Sequence, residues 1–418
     1  MRLHTTMIAA LACACLAAPA ASGATPEQAL SRALARQMGA AGSHSGAIAV
    51  DLDSGRTLFA RRPDIARAPA SNEKLYTTAS ALVALGPRGH LTTRVLGNGT
   101  LDAGGTFHGS LYLKGGGDPT FGSTSFTQRA YGAGATDAEL ARRLADAGVK
   151  RVTGGVYGDE TYFDRRRGTP AEGYAASFEV EGELSALAYN RGLASENGGS
   201  FQSKPAIFAA GRFRSALIAQ GIPVAKPAAE QTAPAGSQAL ALALSPTIAT
   251  LAGLTNRPSD NFFAEMLIKG LGARFGAGGT TTAGAAVVGR QVNELGAHPR
   301  AIVDGSGLSR GDRTSPRQIL RLLAHMKADP TAGPAFFGSL AVAGRSGTIA
   351  GRMNGTAAAG RCRAKTGTLS DVSALSGYCT ARGGHTIAFS ILMNGVGVDG
   401  ARSLQDRMCI AMARYRPT

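Results

Sequence analysis

Ser71 and Lys74 lie three residues apart in Ala70-Ser71-Asn72-Glu73-Lys74-Leu75, at the head of a stretch whose apolar residues recur with helical period. That spacing puts both side chains on one helical face. A serine hydroxyl becomes a competent nucleophile only when a neighbouring group takes its proton. A lysine amine held partly out of water can do so, and an arginine cannot. Of the 44 basic residues only eight are lysines, and Lys74 alone has a serine three positions before it. The same pair would suit a helix cap beside a solvated charge, so its meaning depends on the rest of the chain.

An active serine without a histidine base needs a base, a proton route to the leaving group and an anchor for the substrate's charge. The seven histidines stand in no triad-like context. Ser259-Asp260-Asn261 and Lys365-Thr366-Gly367 supply what is missing. S-x-x-K, S-D-N and K-T-G in this order form a motif set shared by class A β-lactamases and penicillin-binding proteins. A second S-x-N, Ser195-Glu196-Asn197, falls in a glycine-rich loop and is set aside, whereas Ser259 is expected to open a helix. On a strand at the edge of a site, Gly367 would let a substrate backbone approach closely. Gly115-Gly116-Gly117-Asp118-Pro119 lacks the lysine and spacing of a phosphate loop and reads as a turn.

Several elements must position these residues. Leu30, Leu34 and Met38 predict a helix over 26–38, and Asp53-Ser54-Gly55 joins two short strands, 46–52 and 57–60. Leu75, Ala79, Leu82 and Leu85 make the buried stripe of the Ser71 helix, which Pro69 precedes and Gly86-Pro87 ends. From 91 to 247 short strand-like runs alternate with glycine-rich turns, interrupted by a helix over 137–147, as in a β-rich insertion. Helices follow over 262–271 and after Ser315-Pro316; then come strands 361–367, 373–380 and 385–394 and a helix over 401–415. Strands near both ends of the chain predict one sheet shared by the two ends.

With 418 residues, 44% of them hydrophobic and 17% charged, the chain is long enough for two cores and too apolar for disorder. The net charge of +16 comes from dispersed arginine, without the dense basic run or aromatic interleaving of a nucleic-acid binder; it suits an anionic surface or polymer. Residues 1–24 have an early arginine, a short apolar run and small residues at the end, as in a secretory signal peptide. Twelve apolar residues are too few to span a bilayer, and no later stretch is long and apolar enough, so the expectation is an extracytoplasmic or periplasmic protein with at most peripheral membrane association.

The chain resembles the low-molecular-mass class C penicillin-binding proteins, the D-alanyl-D-alanine carboxypeptidase/endopeptidase family. Beyond the three motifs the likeness is carried by Arg67-Ala-Pro-Ala-Ser-Asn-Glu-Lys-Leu, Gly115-Gly-Gly-Asp-Pro-Thr120, Asn256-Arg-Pro-Ser-Asp-Asn261, Asp304-Gly-Ser-Gly-Leu308 and Ala364-Lys-Thr-Gly-Thr368, and it covers nearly the whole mature chain. It implies an α/β (α+β) transpeptidase-like domain with an antiparallel sheet flanked by helices, formed by 25–90 and 248–418 and interrupted by the insertion 91–247. It also implies cleavage of D-alanyl peptides of peptidoglycan through an acyl-enzyme on Ser71, covalent inhibition by β-lactams, and no cofactor or metal. Lys74 would be the base, Ser259 a proton relay from Lys74 to the leaving nitrogen, and Asn261 an orienting group. Lys365, Thr366 and Gly367 would bind the substrate's carboxylate side, and the backbone N–H groups of Ser71 and Thr368 would form the oxyanion hole. The 188 positions between Ser71 and Ser259 (259 − 71) make a shorter insert than is usual in the family, so one inserted subdomain is expected to be reduced. A class A β-lactamase would need a glutamate in an E-x-x-L-N-type loop between S-D-N and K-T-G, which is not found; Glu181, Glu183, Glu265 and Glu294 lack that context. A sensor or wall-binding protein that is acylated without turnover is the non-enzymatic alternative.

Three cysteines remain in the expected mature chain. If 361–367 and 373–380 form a hairpin centred between Ser370 and Asp371, Cys362 and Cys379 face each other within near-disulfide reach. Cys409 on the terminal helix is a rival partner, and small buried thiols are the other possibility.

Overall fold

The computed structural model describes Met1 and residues 24–417. The expected signal peptide, with Cys13 and Cys15, lies almost wholly outside the described residues. A six-stranded antiparallel sheet runs in the order Thr57–Arg61, Gly46–Asp51, Thr386–Asn394, Val372–Thr380, Cys362–Leu369, Ala341–Val342, so both ends of the chain build it. Helices cover both faces. On one face, Pro26–Ala40 starts from a Thr25/Gln28 capping box and buries Leu30, Leu34 and Met38 beside Met408, Cys409 and Met412 of Val398–Arg414. Burying each such side chain contributes roughly 1.5–3 kcal/mol. On the other face lie Lys74–Leu85, Asn261–Phe275 and Pro316–Ala328, whose Leu75, Leu82, Phe262, Phe263, Ile319 and Leu323 share one core with Leu392.

Helices Ile248–Asn256, Thr281–Glu294 and Gly333–Ser339 complete this layer. They are rich in Ala, Gly and Thr, so their apolar period is faint in the sequence. What marks the first two is capping: Thr247 accepts from the Thr250 N–H and Thr280 from that of Ala283.

Between the two halves a second sheet runs in the order Ala229–Glu230, Val156–Asp159, Thr106–Lys114, Thr92–Leu101, Gln238–Leu244. Its first and last long strands, Thr92–Leu101 and Gln238–Leu244, pair with each other, so the chain leaves and returns at one place. Two short strands, Arg151–Val152 and Val156–Asp159, are separated by Thr153, Gly154 and Gly155. Helix Asp137–Asp146, the one expected over 137–147, and a further helix, Pro205–Ala219, pack Leu140, Leu144, Phe213 and Leu217 onto this sheet.

Cys362 lies directly opposite Cys379 in the ladder and is bonded to it, with Cα atoms 4.1 Å apart, and Cys409 is a buried free thiol. In the chain-entropy account, a bridge between residues 17 apart in sequence contributes about 3 kcal/mol. It fastens the strand that carries Lys365 to its neighbour.

Candidate active site

Past Pro69 the chain makes a 3₁₀ turn, Ala70–Glu73, and the α-helix itself starts only at Lys74. Ala70 has φ 48°, a left-handed conformation costing roughly 1–2 kcal/mol for a non-glycine residue. Two glycines make room for this turn. A Cβ on Gly307 would overlap the carbonyl of Ala70, and one on Gly367 would lie 2.6 Å from the Pro69 oxygen. The K-T-G glycine therefore admits the protein's own Ser71 turn, where the sequence pointed to a substrate backbone. Asn72 ties the same turn down, its Nδ2 donating to the Lys365 carbonyl at 3.0 Å. Gly307→Ala, at φ 83°, should cost about 2–4 kcal/mol from overlap and backbone strain, and should slow penicillin labelling. A variant with wild-type melting temperature and labelling rate would refute the packing role.

Lys74 is fully buried, and its Nζ donates to Ser71 Oγ at 3.0 Å, Asn261 Oδ1 at 2.6 Å and the Ser306 carbonyl at 2.7 Å. Burial lowers its pKa to about 8 against the opposing pull of Asp304, Glu265, Asp260 and Glu181. The carbonyl of Ser306 is presented by a loop folded around Asp304, whose carboxylate accepts from the N–H groups of Ser306, Gly307 and Ser309 at 3.1, 2.7 and 2.7 Å. Glu265 supports the same loop, accepting from Gly305 and Ser306 at 2.9 and 2.8 Å; burial, then the Asp304 charge, raises its pKa to about 8.

Behind this loop Glu73 is fully buried with neither carboxyl oxygen hydrogen-bonded. Burial, then repulsion from Asp304 and Glu265, raises its pKa well above the ordinary 4.5. The folded state therefore holds Glu73 protonated, while the unfolded chain ionises near 4.5. Its contribution to stability is complete below that value and is lost as pH rises through the folded pKa. Glu73→Gln, neutral at every pH, should lose less melting temperature than the wild type between pH 6 and pH 9. Equal losses would contradict this assignment.

Ser259 lies two residues ahead of helix Asn261–Phe275, with φ 72°, and Asp260 is the residue that caps the helix. The expected helix-opening position therefore belongs to Asp260. Ser259 Oγ accepts from Lys365 Nζ at 2.7 Å and is not among the acceptors of Lys74. Lys365 is itself fully buried and also donates to the Thr366 carbonyl at 2.8 Å. Burial, then the Lys74 charge, lowers its pKa well below the ordinary lysine value. Beyond Ala364 the strand has no outer neighbour, because Ala341–Val342 pairs only with Arg363 and Ala364. This open edge borders a cavity of about 650 Å³, a volume suited to a peptide-sized ligand. Ser71, Ser259, Asn261, Thr366, Gly367 and Thr368 all line it. Six of the eight site residues expected from the motifs thus line this cavity, and the other two, Lys74 and Lys365, are hydrogen-bonded to them. Lys74 and Lys365 lie behind the wall.

The inserted segment reaches the site too. The Glu179 carbonyl accepts from Asn261 Nδ2 at 2.6 Å, and Glu181 Oε2 accepts from the Asn261 N–H at 3.0 Å. Glu181, set aside in the sequence for want of a motif, lines the cavity. Its φ of 64° and the Arg191–Asp260 pair at 2.6 Å, which pins the neighbouring chain, have no signature in sequence spacing.

The family model for the D-Ala-D-Ala carboxypeptidase 3 (S13) family matches residues 27–179 and 176–415. The chain belongs to that family. This S13 peptidase is 31% identical to a D-alanyl-D-alanine carboxypeptidase of Actinomadura sp. (strain R39), over 90% of this chain and 82% of the relative. It is 28% identical to carboxypeptidase Rv3627c of Mycobacterium tuberculosis, over 85% of this chain and 77% of the relative. Its fold matches the crystal structure of penicillin-binding protein 4 from Haemophilus influenzae with TM-score 0.72 at 19% identity, covering 90% of this chain and 97% of the other.

Proposed function

We propose that this S13 peptidase is a serine-type D-Ala-D-Ala carboxypeptidase/endopeptidase acting on peptidoglycan stem peptides outside the cytoplasm, and that Ser71 carries the acyl group. The observation that carries the reading is the buried Lys74 amine, 3.0 Å from Ser71 Oγ with a pKa near 8. At pH 7 roughly a tenth of such a lysine is neutral and able to accept a proton. Lys74 takes the Ser71 proton as Oγ attacks the D-alanyl carbonyl. Backbone N–H groups of Ser71 and Thr368 receive the oxyanion, each such donor being worth a few kcal/mol. The leaving nitrogen is protonated through Ser259, which regains its proton from Lys365 at 2.7 Å, and the proton held by Lys74 returns to Lys365 through the cleft, leaving Lys74 neutral to take the proton of the hydrolytic water. Water then hydrolyses the acyl-enzyme. Thr366 and Thr368 meet the carboxylate of the leaving residue at the open strand edge, with Lys365 behind them. The curated relatives are named carboxypeptidases, and penicillin-binding protein 4 of Haemophilus influenzae was solved with a β-lactam bound, in accord with this reading. The +16 charge favours an anionic wall polymer.

Purified protein incubated with a D-Ala-D-Ala pentapeptide and with intact peptidoglycan should release D-alanine, cleave D-alanyl cross-links, or do both; release of neither overturns the proposal. The acylation rate by penicillin should rise as pH increases through about 8, because the neutral form of Lys74 is the base. A rate that falls across that range would exclude Lys74 from the role. The Glu181 carboxyl in the cleft gives a second reading, hydrolysis of the β-lactam acyl-enzyme. Steady turnover of a chromogenic cephalosporin that disappears in Glu181→Gln would support it, and labelling that stops at one adduct per chain would dismiss it.

A further inference from the structure

The leaving-group side of the cleft needs a positive charge that a substrate carboxylate can reach. Lys365 is the expected source, yet it is fully buried, its Nζ is engaged by Ser259 and the Thr366 carbonyl, and it is not part of the cavity wall. Burial also lowers its pKa, which weakens it as a permanent cation. Thr366 and Thr368 offer hydroxyls to the cavity but no charge.

The charged residues on the cavity wall are Glu181, Arg352, Arg402 and Asp406. Glu181 is engaged by the Asn261 N–H and lies 3.7 Å from Arg191. Arg352 and Asp406 neutralise each other at 2.8 Å, and Arg352 also donates to Gln405 and to the Arg402 carbonyl, so its fork is occupied. Arg402 differs. Its side chain is 44% exposed, its one ion pair is with Asp399 at 3.3 Å, and that aspartate is 96% exposed and well screened. Its Nη2 donates to Thr368 Oγ1 at 3.4 Å, which is a long contact that a better acceptor would displace. It stands on the first turns of helix Val398–Arg414, directly over the strand residue that follows Lys-Thr-Gly. A guanidinium is always charged and matches a carboxylate with two parallel N–H groups.

Resting on the carboxypeptidase reading, we infer that Arg402 is a specificity-determining residue that binds the free carboxylate of the leaving D-amino acid together with the Thr366 and Thr368 hydroxyls. The enzyme would thereby distinguish an anionic leaving residue from one whose carboxyl is amidated. Breaking the Asp399 contact costs little because both partners are in water. Binding replaces the long Thr368 contact by a charge-assisted bidentate pair.

The test compares Nα,Nε-diacetyl-L-lysyl-D-alanyl-D-alanine with its C-terminal carboxamide in the wild type, Arg402→Gln and Arg402→Lys. Arg402→Gln should lower kcat/KM on the free acid by about tenfold or more, and on the carboxamide by less than twofold, with Arg402→Lys recovering part of the loss. Unchanged melting temperature and penicillin-labelling stoichiometry would accompany this result, since Arg402 is exposed. Equal losses on both substrates, or no loss on the acid, would overturn the assignment while leaving the carboxypeptidase reading intact. A wild-type protein that cleaves neither substrate would overturn that reading, and the inference with it.

Discussion

Replacing Ser71 by alanine will abolish D-Ala-D-Ala hydrolysis and covalent penicillin labelling together, with a rate loss of about 10⁴-fold or more and little change in stability. The magnitude follows from the arrangement: the Lys74 amine, itself held by the Asn261 amide oxygen, donates to the Ser71 hydroxyl, and removing that hydroxyl from such a unit costs nearly everything the unit supplies. Ser71 is only half-buried in its turn, and Lys74 retains two of its three acceptors in the variant, so the fold should survive. Activity should be read by D-alanine release and labelling by intact mass. Persistent labelling would move the nucleophile elsewhere.

The second large effect concerns Ser259 and Lys365, joined by a 2.7 Å hydrogen bond and assigned to one proton path in the proposed mechanism. Ser259→Ala and Lys365→Ala should each lower kcat/KM by about 10²–10³-fold, and the double variant should be no more than about tenfold worse than the poorer single, as groups acting as a unit behave. Losses that multiply would mean that Ser259 receives its proton from another source. The family resemblance implies Lys74 as that source. Ser259 instead turns to Lys365 because its left-handed backbone faces the K-T-G strand, where a buried amine needs hydrogen-bond partners.

Much of the architecture is legible in the sequence because strong periodicity marks it. The terminal strands, the stripe on Lys74–Leu85 and the facing of Cys362 and Cys379 follow from alternation, apolar spacing or the symmetry of a hairpin, while the choice between Cys379 and Cys409 as partner is made only by the fold. Ser71, Lys74, Ser259, Asn261 and Lys365 are found because their types and order carry chemistry. The supporting residues are not. Glu73, Glu265 and Asp312 read as ordinary helix or loop acids, and only the fold buries them around Asp304. Glu181 and Arg402 come from segments distant in sequence, the insertion and the last helix, and reach the cleft through tertiary packing alone. Left-handed Ala70 and Ser259 are likewise invisible, because neither residue type favours that conformation. Helix Pro205–Ala219 is hidden by apolar residues on all its faces, which blur the period that would reveal it.

The central claim is that one serine, activated by Lys74, carries the acyl group. The most direct measurement is to incubate the protein with benzylpenicillin, digest it, and locate the adduct by mass spectrometry. The account predicts one penicilloyl group per chain, on Ser71, formed faster as pH rises through about 8 and almost undetectably in Lys74→Ala. An adduct on any other residue, or undiminished acylation of Lys74→Ala, would contradict it.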